Sequence, residues 1–70
     1  MEPTNRDRAT WARNALESFR RETHCDYEDS LSDILCDLMH FAGLYGFDFE
    51  AALIRARRHH QTEIYESRSA

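Results

Sequence analysis

The chain has 70 residues, which is enough for one domain but too few to bury a large hydrophobic core. Its formal net charge of −4, from 13 acidic and 9 basic side chains, argues against a protein that holds nucleic acid by its phosphates. No apolar run approaches the ~18 residues of a membrane span, and no secretory leader opens the sequence. We therefore expect a single cytoplasmic domain over residues 1–70, with both cysteines reduced.

The first predicted helix runs from about residue 5 to residue 22. Thr4 and Asp7 fit a capping box at its start. Apolar residues then recur at helical spacing without an intervening Gly or Pro: Trp11, Ala12, Ala15, Leu16 and Phe19. We expect Trp11 and Phe19 to anchor the core. An exposed, partner-binding role for Trp11 is the alternative.

The second predicted helix, from about residue 26 to residue 45, carries the longest apolar stripe. Its members are Tyr27, Leu31, Ile34, Leu35, Leu38, Phe41, Ala42 and Tyr45. Both Asp26 and Ser30 could cap the start of this helix, after a break at residues 23–25. We choose Asp26 because Tyr27 extends the stripe. This helix is expected to form the centre of the core.

The segment Tyr45-Gly46-Phe47-Asp48 predicts a tight corner. Gly46 suits the left-handed residue that closes a helix, and Asp48 suits the N-cap of the next one. The third helix is expected from about residue 49 to residue 64, with the end of the chain frayed from Glu66. Its stripe is Phe49, Ala52, Leu53, Ala56, His60 and Ile64. The sequence thus predicts an all-α fold, a small three-helix bundle built on a central helical hairpin.

Acidic and basic residues are segregated along the chain. Between Glu22 and Leu53 there is no Lys or Arg, and eight acidic residues lie in that span. Two interpretations stay open. Either neighbouring helix faces neutralise each other, or an acidic patch docks on a basic groove of a partner. The candidate partner-binding residues are Asp26, Asp29, Asp33, Asp37, Trp11 and Phe47.

Asp33, Asp37 and His40 stand at i, i+4 and i+7, so they share one face of the second helix. Two carboxylates and an imidazole could bind a divalent cation, and a solvated helix face explains the same spacing. The sequence has no glycine-rich phosphate loop, paired-cysteine motif or nucleophile elbow. No catalytic residue is therefore predicted.

One series of residues matches a known family in an alignment without gaps. Its members are Ser32-Asp33-Ile34-Leu35, Ala42, Gly46, Asp48, Ala52-Leu53 and Ala56. This series, within residues 29–60, is similar to the second half of the MazG-type nucleotide pyrophosphohydrolases, an all-α family of metal-dependent enzymes. In that family an E-x-x-E pair on one helix and an E-x-x-D pair on another bind magnesium. Here Asp33 matches the final acid, Ser30 stands where the second pair has Glu, and the first helix has no E-x-x-E. The resemblance implies the hairpin and leaves the magnesium motif incomplete.

A second pattern resembles small uncharacterised helical proteins of bacteria and phages. It consists of Asp37-Leu38-Met39-His40, Gly46, Asp48-Phe49, Ala52-Leu53, Ala56 and His59-His60. This pattern implies no activity.

Two functions follow from the sequence. The first is a non-catalytic adaptor or inhibitor without a cofactor, encoded by a phage or plasmid, which binds a larger protein through its acidic face or an aromatic patch. The alternative is a reduced MazG-like pyrophosphohydrolase with a Mg²⁺ site assembled across a dimer from Asp33 and Asp37. We expect the first, because the catalytic motif is absent and the docking charge is present. Three short helices also carry more large aromatics than they can cover, which predicts a homodimer joined through Trp11 and residues 47–49.

Overall fold

The structure is a computed structural model, and it describes residues 2–69, with only the backbone of residue 69. Three helices make up most of the chain: α1 (Asn5–Thr23), α2 (Ser30–Tyr45) and α3 (Phe49–Ser69). A short 3₁₀ turn, Tyr27–Asp29, precedes α2, and no strand occurs in the part of the chain that the structure describes. Each helix packs against the other two, so the protein is a small all-α three-helix bundle, as predicted. Within residues 2–69, none of the helices combines the length and the apolar character that a membrane crossing requires.

Three helix ends form as the sequence predicts. The Thr4 hydroxyl accepts a hydrogen bond from the Asp7 N–H at 3.1 Å, and the Asp7 carboxylate accepts one from the Thr4 N–H at 2.9 Å. Gly46 closes α2 at a φ of 78°. The Asp48 carboxylate accepts from the N–H of Ala51 at 3.0 Å in the first turn of α3. The Thr4 and Asp48 side chains thus pair backbone N–H groups that the first turn of a helix leaves without a partner. The left-handed conformation of Gly46 ends α2.

Helix α2 begins at Ser30 and not at Asp26, which corrects the predicted start. The guanidinium of Arg20, at the end of α1, lies 5.2 Å from the centre of the Tyr27 ring. The Ser30 hydroxyl donates to the Tyr27 carbonyl at 2.6 Å, and Ser30 is fully buried. These contacts hold Tyr27 in the 3₁₀ turn, where it does not continue the stripe of α2.

Helix α3 extends to Ser69, beyond the predicted end at Ile64. The predicted fraying is therefore wrong for residues 66–69, and residue 70 lies outside the described residues. The first turn of α1 lies against this end of α3. There the Asn5 side chain donates to the Glu63 carbonyl at 3.2 Å, and the Arg8 Nε lies 3.1 Å from the Glu63 carboxylate.

The interior is small. Among the described side chains, only Ser30 and Ala42 are fully buried, at 2% and 5% exposure. Half-buried apolar side chains add to this core: Leu16, Phe19, Ile34, Phe49, Leu53 and Ile64. The prediction that the whole stripe of α2 forms the core is wrong for six of its eight members, which expose between 43% and 68% of their surface: Tyr27, Leu31, Leu35, Leu38, Phe41 and Tyr45. Trp11 is not a core anchor either, since it is 58% exposed. Helices α1 and α3 together cover only part of the apolar side of α2.

The surface is larger than that of a compact protein of this mass. A folded monomer of 8.3 kDa exposes about 4,600 Å² by the size scaling of globular proteins. This chain exposes 6413 Å². Its radius of gyration, 14.2 Å, likewise exceeds the value of about 11 Å expected for a compact chain of this length. About 1,800 Å² of surface per chain is therefore in excess of what a self-contained monomer exposes.

Candidate protein-interaction surface

Three aromatic rings meet at the corner between α2 and α3. The ring centre of Phe41 lies 4.9 Å from that of Tyr45 and 5.5 Å from that of Phe47, with the Phe47 ring nearly parallel to it at 18°. The turn at Gly46 brings Phe47 back towards α2, where its N–H donates to the Ala42 carbonyl at 2.9 Å. The three rings nevertheless remain between 50% and 68% exposed. Phe41, Tyr45 and Phe47 are called the aromatic cluster below.

Carboxylates flank the aromatic cluster. Asp37 lies one helical turn before Phe41 on α2, and Asp48 directly follows Phe47 in the chain. Both carboxylates are exposed. Apolar rings and negative charge are therefore presented side by side at the α2–α3 corner.

Direct contact does not neutralise the acidic span of the chain. All eight acidic residues from Glu22 to Glu50 are exposed, and the ion pairs formed within residues 2–69 involve none of them. Those ion pairs are Arg8–Glu63 and Arg20–Glu17. The three arginines in the middle of α3 are exposed as well. Within residues 2–69, no direct ion pair therefore supports the interpretation in which neighbouring helix faces neutralise each other.

The six predicted partner-binding residues are all exposed, but they do not form one site. Asp26 and Asp29 lie at one end of α2, and Phe47 lies beyond the other end of this 16-residue helix, which is about 24 Å long. Of the six, Phe47 belongs to the aromatic cluster and Asp37 lies one helical turn before Phe41. Trp11 takes part in neither of its ring contacts.

Sequence reasoning missed three residues of this surface. It placed Phe41 and Tyr45 in the buried stripe of α2, and it gave Leu44 no role. Leu44 is 77% exposed, the highest value among the large apolar side chains that the structure describes as exposed. A leucine outside the apolar stripe of its own helix was the signal that could have indicated an interaction surface here.

The predicted metal ligands all lie on the surface of α2. Asp33, Asp37 and His40 are each exposed, and no group of three or more His, Cys, Asp or Glu side chains in residues 2–69 is arranged to hold a metal ion. Cys25 is half-buried and Cys36 is exposed, and both are free thiols.

Comparison with protein-family models, with curated protein sequences and with solved structures finds no match to this chain. The resemblance to the MazG-type enzymes therefore stays an expectation from the sequence. The surface described above is what supports a function.

Proposed function

We propose that this protein is a non-catalytic adaptor or inhibitor that binds a larger protein through the aromatic cluster. The observation that carries the proposal is the exposure of half or more of each ring, although the rings already pack on one another. Aromatic side chains are prominent among the residues that supply binding energy at protein interfaces. A contiguous exposed apolar patch with a polar rim is typical of such a site.

The carboxylates beside the cluster define the partner that fits. Asp37 and Asp48 lie at the rim of the apolar patch, and neither forms an ion pair with an arginine within residues 2–69. Rim charges steer association and select a partner of opposite charge. The complementary surface is an apolar groove bordered by Lys or Arg side chains.

Photo-crosslinking in the source cell tests this proposal. A photoreactive phenylalanine analogue in place of Phe47 is expected to give one dominant adduct with a protein larger than this 8.3 kDa chain. The control places the analogue at Thr62, which is exposed near the other end of α3. Thr62 should give no such adduct. Equal labelling from both positions would contradict a specific site at the corner.

Affinity measurements with the captured protein provide a second test of the proposed interface. Phe47→Ala and Asp37→Lys are each expected to weaken binding at least about tenfold, as loss of a central interface side chain or reversal of a rim charge does. Arg58→Ala, at an exposed basic residue of α3, serves as the control and should bind like the wild type. If both test variants bind with wild-type affinity, the aromatic cluster is not part of the interface.

We also propose that the adaptor is a symmetric homodimer. The excess of about 1,800 Å² over a compact monomer supports this, because so short a chain rarely stabilises itself with one small core. A two-fold interface uses the same patch twice, so one apolar face of the chain suffices. The dimer would present the aromatic cluster twice.

A further inference from the structure

One side of α2 carries four aliphatic side chains that the bundle covers only in part. Leu31, Leu35, Leu38 and Met39 occur at i, i+4, i+7 and i+8, so they share an arc of about 100° around the helix. They expose 65%, 43%, 44% and 53% of their surface. These four residues are called the aliphatic face. Such exposure is unfavourable because apolar surface is driven out of water.

The aliphatic face contains no charged residue. The two acidic residues of α2, Asp33 and Asp37, lie about 150° or more around the helix from the centre of the face. The face therefore lacks the charges by which a basic partner would be selected, in contrast to the aromatic cluster. An identical face is a suitable match, because pairing two uncharged surfaces brings no like charges into contact.

The area available also fits a second copy. Obligate homodimers bury about 2,000 to 5,000 Å² in total, which is about 1,000 to 2,500 Å² from each chain. The excess surface of this chain, about 1,800 Å² over a compact monomer, falls inside that range; it is spread over the whole chain, and the aliphatic face is one part of it.

We infer that a second copy of this chain covers the aliphatic face, with the two α2 helices packed against each other across a two-fold axis. This inference rests on the proposed dimer and names its interface. It assigns the interface to α2 in place of the patch of Trp11 and residues 47–49 expected from the sequence. The aliphatic face precedes the aromatic cluster along α2, with Leu38 one helical turn before Phe41.

Sedimentation equilibrium of three proteins tests the assignment: the wild type, Leu31→Glu and Leu44→Glu. The two leucines form a matched pair, because both belong to α2 and are 65% and 77% exposed, but only Leu31 lies in the aliphatic face. The wild type and Leu44→Glu are expected at twice the 8.3 kDa chain mass. Leu31→Glu should raise the dimer dissociation constant at least about tenfold. A monomeric wild type, or a Leu31→Glu dimer as tight as the wild type, would overturn the inference.

A spin label keeps the test decisive if Leu31→Glu fails to fold. Cys36 is exposed beside the aliphatic face, and replacing the half-buried Cys25 by Ser leaves it as the single labelling site. Packed helices have axes about 8 to 10 Å apart, so dipolar coupling should place the two Cys36 Cα atoms within about 20 Å of each other. If the protein is a dimer but the labels are farther apart or show no coupling, α2 is not the interface and the inference is wrong.

One further variant separates this inference from the proposed function. Phe47→Ala should lose the larger partner and keep the wild-type dimer mass and label distance, because the aromatic cluster lies outside the α2 interface. A loss of dimer mass in Phe47→Ala would instead place the second copy on the corner and overturn the assignment to the aliphatic face. Loss of partner binding with an intact dimer supports both proposals.

Discussion

Gly46 shapes the corner between α2 and α3 through its backbone conformation. Its φ is 78°, and a Cβ added at this position would meet no atom within 4 Å. Because the space is open, the cost of a side chain comes from the left-handed backbone itself. Gly43 provides the comparison. It lies inside α2, and its surroundings are equally open.

Substitutions at the two glycines should therefore have opposite effects. Gly46→Val should lower the free energy of unfolding by more than ~1 kcal/mol because a β-branched residue is strained in left-handed geometry. Gly43→Ala should raise it by about 0.5 to 1 kcal/mol, the usual gain in a helix interior. Chemical denaturation measures both. If Gly46→Val unfolds at the same denaturant midpoint as the wild type, the positive φ of Gly46 does not contribute to the stability of the corner.

Interactions between residues close in the sequence could be predicted from the sequence. Thr4, Gly46 and Asp48 each act within about four residues of their own position, so local residue types were sufficient to place them. The position of Tyr27 could not be predicted in the same way. It depends on Arg20, which reaches the ring only after α1 and the 3₁₀ turn have packed together.

At the scale of elements, the last turns of α3 depend on the first turn of α1. Asn5 and Arg8 both bind Glu63, and α3 continues past it. Asn5→Ala combined with Arg8→Ala should increase amide hydrogen exchange at residues 64–68. The free energy of unfolding should change by less than ~1 kcal/mol, because the ion pair is partly exposed. Arg13→Ala, an exposed arginine of α1, is the control. Unchanged exchange in the double variant would show that α3 is stable there by itself.

The half-buried side of α2 should matter more to stability than its exposed end. Ile34→Ala is expected to lower the free energy of unfolding by about 1 to 2.5 kcal/mol, roughly half the cost of truncating a fully buried side chain. Leu44→Ala, at a side chain that is 77% exposed, should stay within about 0.5 kcal/mol of the wild type. Equal losses in a denaturation experiment would contradict the packing of Ile34 into the core.

Periodicity predicted which side of α2 is apolar but not what covers that side. Ile34 is half-buried and Ala42 is buried, whereas Leu35 and Leu38 of the same stripe expose 43% and 44% of their surface. The hydrophobic pattern is identical whether an apolar residue is buried by its own chain or by another molecule. For this reason the predicted partner-binding residues were four aspartates with Trp11 and Phe47, and they did not include Phe41 or Tyr45.

At the scale of the whole molecule, the two proposed interfaces differ in charge and therefore in their response to salt. The aromatic cluster has carboxylates at its rim, and the aliphatic face has none. Raising the salt concentration from about 0.05 M to about 0.5 M should weaken binding of the larger partner at least about tenfold and change the dimer dissociation constant less than about threefold. Titration calorimetry and sedimentation provide the two measurements. A dimer more sensitive to salt than the partner complex would contradict the assignment of the two surfaces.

We propose that the folded state of this chain is completed by another copy of it, and the excess of exposed surface supports this proposal. Thermal unfolding of the wild type over a range of about 1 to 100 μM tests this most directly, since two unfolded chains must combine to form one folded dimer. The unfolding midpoint should rise by several degrees across the series, because a hundredfold change in concentration is worth about 2.7 kcal/mol. A midpoint that does not change with concentration, together with a constant mass of 8.3 kDa, would contradict it.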